Sequence, residues 1–372
     1  MTRTVTLILG CLLFLLLLGC PYTYVKKQGM QVIKTGDLFP EIALQAPSDP
    51  QDRLYLGLSE DKTFTLDNIR GNLVLVEMMS VYCSSCRTQA PIYNKLYELI
   101  QNDPKTRGQI KMLAIAAGNG DEEVKEFREN YKVPFPVIPD PGFSMHQAIG
   151  SSPTPFSIYV RQDASGRMGR VIDTHLGPIF DHADLFRHLA GMMTMDLAAI
   201  ENQGREKEAK PAEVKPILLD KEVEARVKNA FKSMDGNLEQ FEKITLKNSN
   251  AVYAAVVKTR DGSQRLFAVM VSRSVPCDVC HDAHFIYVFD STGKVVGFAP
   301  IQLTKYGNKP WDESDLSKIR SRILGRYIFK PSVFDPKVDA IASATITAAV
   351  IFDSVSHGEA ILEELRRKGL IQ

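Results

Sequence analysis

An apolar run, Leu73-Val74-Leu75-Val76-Glu77-Met78, is followed within five residues by Cys83-Ser84-Ser85-Cys86 and then by a helical pattern. A short run of this kind suits a strand buried on both faces of a sheet. Beyond Cys86, Ile92, Leu96, Leu99 and Ile100 recur at helical spacing. The cysteine pair therefore falls where a buried strand hands over to the first turn of a helix. Ile110 to Ala116 repeats the strand pattern, and Asp121 opens a helix with Val124, Phe127 and Tyr131 on one face. Phe156 to Val160 and Gly169 to Thr174 read as two more strands, paired through a loop around Gly166, before Asp181 caps a helix holding Leu185, Phe186 and Leu189. Strand–helix alternation followed by a hairpin and a helix predicts an α/β domain with a central sheet covered by helices.

The N-terminus reads as an export signal. Arg3 supplies positive charge, Val5 to Leu18 form the apolar stretch, and Leu17-Leu18-Gly19-Cys20 closes it. The stretch is short for a bilayer span, which favours a cleaved signal over an uncleaved anchor. Leu-x-Gly-Cys resembles the lipobox of bacterial lipoproteins, which implies acylation of Cys20 and attachment to a membrane outside the cytoplasm. That compartment permits disulfides and covalent haem. Lys plus Arg number 45 against 44 Asp plus Glu, so no basic field invites nucleic acid. Of six cysteines, Cys11 and Cys20 lie in the leader and the rest form two CxxC pairs, Cys83/Cys86 and Cys277/Cys280. Such pairs close a reversible disulfide, hold a metal or attach a haem.

Strand, then CxxC at a helix start, resembles the thioredoxin fold and, more closely, its membrane-tethered redoxin branch, from about Gly36 to Leu189. Gly36-Asp37-x-Phe39-Pro40 and Leu66-x-x-Ile69-Arg70-Gly71-Asn72-Leu73-Val74 look like that branch's approach to its site. Pro91 lies where thioredoxins kink the active-site helix, and Val81-Tyr82 stand where a tryptophan is usual. Gly150 to Pro155 matches the spacing that leads to the family's cis-proline, with Pro153 a competitor for that role. The resemblance implies thiol–disulfide exchange with a protein partner. Cys83, at the helix N-terminus, is the expected nucleophile because the dipole and unpaired N–H groups favour its thiolate. Cys86 is the expected resolving thiol. Glu77, where thioredoxins bury an acid, is expected to have a raised pKa and to take the proton from Cys86.

Glu201 to Pro216 is charged, carries two prolines and reads as a linker. The expected organisation is a signal peptide over 1–19, a tether over 20–32, a thioredoxin-like domain over 33–196, a linker over 197–218 and an α+β domain over 219–372. In the last, Asp220 to Met234 reads as a helix. Strands are expected at Ala251 to Lys258, Leu266 to Val271, His284 to Phe289 and Val295 to Ile301, with a C-terminal helix from about Thr347 to Arg367. Before that helix, Asp339-Ala340-Ile341-Ala342-Ser343-Ala344-Thr345 resembles the motif of the FMN-binding domain of Rnf and sodium-pumping NADH:quinone reductase complexes. The resemblance implies FMN at this helix N-terminus, held by Asp339, Ser343, Ala344 and Thr345, with Thr345 as the phosphoester position. Ala342 replaces the motif's Ser or Thr, and Ser343 its Gly, where a Cβ crowds the backbone approach. Small side chains do admit phosphate to a helix start.

The second pair is followed by a histidine, and Cys277-Asp278-Val279-Cys280-His281 matches the CxxCH attachment site of haem c. Three other readings stand beside it: a disulfide that exchanges with the first pair or a flavin, a structural hairpin disulfide, and a cramped zinc set completed by His284. The chain is thus expected to be a membrane-tethered thiol–disulfide oxidoreductase with a flavin-binding electron-transfer domain and a membrane redox partner. Its alternatives are a haem-binding electron-transfer or haem-delivery protein, and a non-catalytic tethered scaffold.

Overall fold

The structure is a computed structural model that describes residues 32–162, 168–195, 197, 200, 217–233, 236–247, 251–259, 262–276, 281–305, 307–330 and 334–372. Cys20, the 201–216 linker and the Cys277–Cys280 segment lie outside the described residues.

The first half runs α1 (Pro50–Leu56), β1 (Leu73–Met79), α2 (Ser84–Asn102), β2 (Ile110–Ala117), α3 (Asp121–Tyr131), β3 (Val137–Asp140), α4 (Ser144–Ala148), β4 (Phe156–Gln162), β5 (Met168–Leu176) and α5 (His182–Met192). Its sheet has the order β3-β2-β1-β4-β5. Strands β1, β2 and β3 are parallel, and β4 runs antiparallel to both β1 and β5. All seven residues of β1 are buried, as a central strand covered on both faces requires. Helix α2 carries its buried face on Cys86, Gln89, Ala90, Tyr93, Leu96 and Ile100. Asp181 caps α5 by accepting from the N–H groups of Ala183 and Asp184 at 2.9 Å each. Helix α1, unforeseen in the sequence, is tied to α3 by Arg128, whose guanidinium meets both carboxylate oxygens of Asp52.

The second half runs α6 (Asp220–Lys232), β6 (Asn237–Ile244), β7 (Val252–Thr259), β8 (Gly262–Arg273), β9 (Ala283–Asp290), β10 (Val295–Gln302), α7 (Glu313–Ile323), α8 (Pro336–Asp339), α9 (Thr345–Ser356) and α10 (Glu359–Arg367). The five strands form an antiparallel meander in the order β10-β9-β8-β7-β6. Alternation sorts its residues between two layers. Leu266, Ala268, Ile286 and Val288 pack with Val227 and Phe231 of α6. Phe267, Val269, Phe285, Tyr287 and Phe289 face the other way, in one core with Ile319, Ile351, Phe352 and Leu365 of α7, α9 and α10. That core continues without a break into the first half.

One expected element differs. The helix read as Thr347 to Arg367 is two helices, α9 and α10, parted at His357-Gly358. The Gly358 N–H donates to the Ile328 carbonyl at 2.6 Å, and a Cβ there would lie 2.6 Å from Ile328 Cδ1. The chain turns because its backbone is pulled against Ile328, closer than any side chain allows. Gly358→Ala is therefore expected to destabilise the fold by about 1–3 kcal/mol through overpacking. Urea unfolding followed by circular dichroism checks this, and an unchanged midpoint would contradict the close approach.

Candidate active site

Strand β1 delivers the chain to Cys83, which is the N-cap of α2. Its Sγ lies 3.4 Å from the Thr154 carbonyl oxygen and donates to it. Thr154–Pro155 is a cis peptide, so Pro155 rather than Pro153 takes the expected position facing the pair. Cys83 and Cys86 are each only 2% exposed. Burial is the main reason that the Cys86 thiol is pushed well above its ordinary range, and contact with Cys83 and the nearby Glu77 push the same way.

Glu77 sits where the sequence placed a buried acid. In the sheet it pairs with Ala114 of β2 and Ser157 of β4. Burial pushes its carboxyl up to about 8, against a hydrogen bond from Gln89 that pulls the value down. Gln89 Nε2 donates to Glu77 Oε1 at 2.6 Å, while Gln89 Oε1 accepts from the Ile179 N–H at 2.6 Å. The amide thus has its orientation fixed from both ends. Tyr93 and Ser157 share a 2.6 Å hydroxyl–hydroxyl bond nearby. Neither Gln89 nor Tyr93 was picked out by sequence, although both follow Cys86 at helical spacing on its buried face.

The loop before Pro155 is propped from beneath. His146 Nε2 lies 2.8 Å from the Ser152 carbonyl oxygen, and burial pushes this imidazole down to about 4, so it is neutral near pH 7. Tyr82, at the tryptophan's usual position, donates its hydroxyl to Glu123 of α3. Beside it opens a cleft of 1190 Å³, lined by Tyr82, Arg87 and Glu122 of the first half and by Phe334, Lys337 and His357 of the second.

Residues 35–173 match the AhpC/TSA family. Residues 35–173 form a thioredoxin-like redoxin domain. Two curated relatives, both called thiol-disulfide oxidoreductase ResA, come from Bacillus thuringiensis and Halalkalibacterium halodurans. The first is 28% identical over 119 residues, covering 32% of this chain and 62% of its own. The second is 25% identical over 118 residues, covering 32% and 61%. The chain thus spans about three-fifths of the length of the curated relatives it matches. Among solved structures, a thiol:disulfide interchange protein of the thioredoxin family from Chlorobium tepidum overlaps 44% of this chain and 99% of its own, at 19% identity and a TM-score of 0.31.

Of the other sequence-selected residues, Cys20, Cys277 and Cys280 lie outside the described residues, and the rest belong to the second half. Asp339 is buried, with Oδ1 taken by Arg322 Nε and Oδ2 by the Asp335 N–H at 2.9 Å, so it braces the loop before α9 rather than facing a ligand. Ser343 adopts φ 60°, the left-handed region that glycine favours and that costs other residues roughly 1–3 kcal/mol. The backbone is thus the one that a glycine in this motif would adopt. Ala342 and Ser343 are exposed, Ala344 is the buried N-cap, and half-buried Thr345 opens a twelve-residue helix. A phosphate at this helix start would be held by the first-turn N–H groups of α9 with Thr345 beside them, while Asp339 is engaged by Arg322. His281 is exposed with Nδ1 3.1 Å from Gln302 Nε2, whereas His284 is buried with Nδ1 2.9 Å from Ser272 Oγ.

A carboxyl whose pKa rises from about 4.5 when unfolded to about 8 when folded holds its proton more tightly in the native state. Its contribution to stability is present in full below pH 4.5 and is lost as pH rises through 8. Glu77→Gln keeps the bond partners and removes the titration. The variant is expected to lose less stability than the parent between pH 5 and 9. Urea midpoints across that range check it, and parallel profiles would refute a buried, titrating Glu77.

Proposed function

We propose that this protein is a thiol–disulfide oxidoreductase, with Cys83 as nucleophile and Cys86 as resolving thiol. The observation that carries the reading is the thiol pair at the start of α2, with Glu77 behind it and cis-Pro155 in front. Cys83 attacks a partner disulfide as the thiolate, favoured by its place at the helix N-terminus. Cys86 must then lose its proton inside an apolar pocket. Ionised Glu77 is the base for that step, so resolution is expected to accelerate as pH rises through about 8. Reduction of insulin disulfides by the purified protein tests the assignment. Cys83→Ser is expected to abolish activity, and Glu77→Gln to lower the rate about 10²-fold or more at pH 8, as loss of a general base does. Full activity in Cys83→Ser would sink the reading.

The second half we propose to be a flavin-binding electron-transfer domain, with FMN at Thr345, and the whole chain to be tethered outside the cytoplasm through Cys20 beside a membrane redox partner. Support comes from the lipobox-like leader, the sequence motif and the glycine-type backbone at Ser343. Bound FMN would supply one- and two-electron chemistry. No helix among the described residues is long and apolar enough to cross a membrane. Intact mass of the exported protein reads both additions at once. A flavin mass lost in Thr345→Ala and a lipid mass lost in Cys20→Ser are expected. A haem mass on Cys277 and Cys280 would favour the haem-carrying alternative instead.

A further inference from the structure

The loop that faces the thiol pair, residues 149–155, belongs to no helix or strand. Gly150 and Ser151 are both left-handed, with φ of 93° and 55°, so the path from α4 to Pro155 is imposed by what the loop touches. Three of its ties come from the redoxin domain. The Ile33 N–H donates to the Ile149 carbonyl at 2.9 Å, the Ser151 N–H donates to the His146 carbonyl at 2.8 Å, and His146 Nε2 meets the Ser152 carbonyl at 2.8 Å. All three act before Thr154. At Thr154 the tie comes from the other half of the chain, where the Pro276 carbonyl oxygen accepts from Thr154 Oγ1 at 2.9 Å. Thr154, Val275 and Pro276 are buried, so this bond is shielded from solvent.

The same threonine meets the nucleophile, because its carbonyl oxygen accepts the Cys83 thiol at 3.4 Å. A bond of this kind favours the protonated thiol, since a thiolate would face the negative end of the carbonyl. The helix N-terminus pulls the other way and favours the thiolate. The position of the Thr154 carbonyl therefore sets how far the dipole prevails. Glu77 of β1 and Cys86 of α2 titrate beside Cys83. Around them stand Tyr82, engaged by Glu123, Arg87 in the first turns of α2, neutral His146 beneath the loop, and Arg273 of the second half.

Pro276 is held in its turn. Arg273, the last residue of β8, pairs with the buried carboxylate of Asp353 on α9. Its guanidinium carbon lies 5.8 Å from the centre of the Phe143 ring in the redoxin domain. Gln147 of α4 reaches the same Asp353 oxygen at 3.3 Å. We propose that the second half of the chain completes the thiol site: the Pro276 carbonyl holds the Thr154 side chain, Thr154 holds its own carbonyl against Cys83, and both are positioning residues for the nucleophile. The inference rests on the thiol-exchange reading of the Cys83 site. Loss of the Thr154 hydroxyl leaves the buried Pro276 carbonyl without this donor and frees the loop to draw back from Cys83. The thiolate then gains over the thiol.

The test reads the pH profile of Cys83 in the full chain. Reduced protein is pulsed with iodoacetamide at graded pH, and labelling of the peptide that holds Cys83 is quantified by mass spectrometry. Thr154→Val keeps the branched shape and removes the hydroxyl. It is expected to lower the midpoint of Cys83 labelling by about 0.5 pH unit, or about threefold more thiolate on the acid side. Thr154→Ser keeps the hydroxyl and is expected to label with the parent's midpoint. An unchanged or raised midpoint in Thr154→Val, or an equal shift in both variants, would overturn the inference. Should Thr154→Val fail to fold by circular dichroism, Arg273→Lys decides in its place. That change keeps a cation beside Asp353 and withdraws the guanidinium from Phe143, so a lowered midpoint supports the inference and an unchanged one overturns it. Insulin reduction by the parent separates the two readings. Its absence would overturn the thiol-exchange reading, whereas an unchanged midpoint with insulin reduction intact overturns this inference alone.

Discussion

A carboxyl group lies in the middle of a strand that has no exposed residue, and much of the active end is arranged around that fact. An unsatisfied buried polar group costs about 1–3 kcal/mol, and an ionised one more. Glu77 avoids the first cost through Gln89 and the second by holding its proton to about pH 8. Gln89 must in turn be held by the Ile179 N–H, from the segment that leads into α5. The hydrogen-bond chain from strand to helix to loop fixes how α2 lies on the sheet. It therefore also fixes where the helix N-terminus and Cys83 stand.

The second constraint acts from outside the redoxin domain. Its cis-proline loop is supported below by neutral His146 and covered above by Pro276. Both cysteines are nearly inaccessible. Thr154 thus joins the thiol site to the second half of the chain.

What the sequence disclosed followed from how local each signal was. The strand β1, the helix α2 with Cys83 at its start, and the buried acid at Glu77 rest on spacing within a few residues, the cis bond before Pro155 on the resemblance, and the structure places each of them accordingly. The short edge strand β3 was missed because Pro139 stands in it, which only an edge tolerates. Strand β6, at the other sheet's edge, was missed because it is mostly exposed and bulged, with no clean alternation. The break at Gly358 was missed because its cause, Ile328, lies thirty residues away and carries no helix-stop signal. Gln89 and Thr154 act through partners far along the chain, so no window of sequence marks them. Near Thr345 the sequence did not show that Ser343 takes a left-handed backbone or that Asp339 meets Arg322, since both depend on residues outside the motif.

The inner face of the second sheet shares one uninterrupted apolar core with the first half. Separate domains joined only by a tether can each melt alone. Here each half supplies part of the apolar surroundings of the other, so loosening of one exposes apolar surface on its neighbour. The link from Pro276 through Thr154 to Cys83 sets the end of the meander's third strand beside the thiol site.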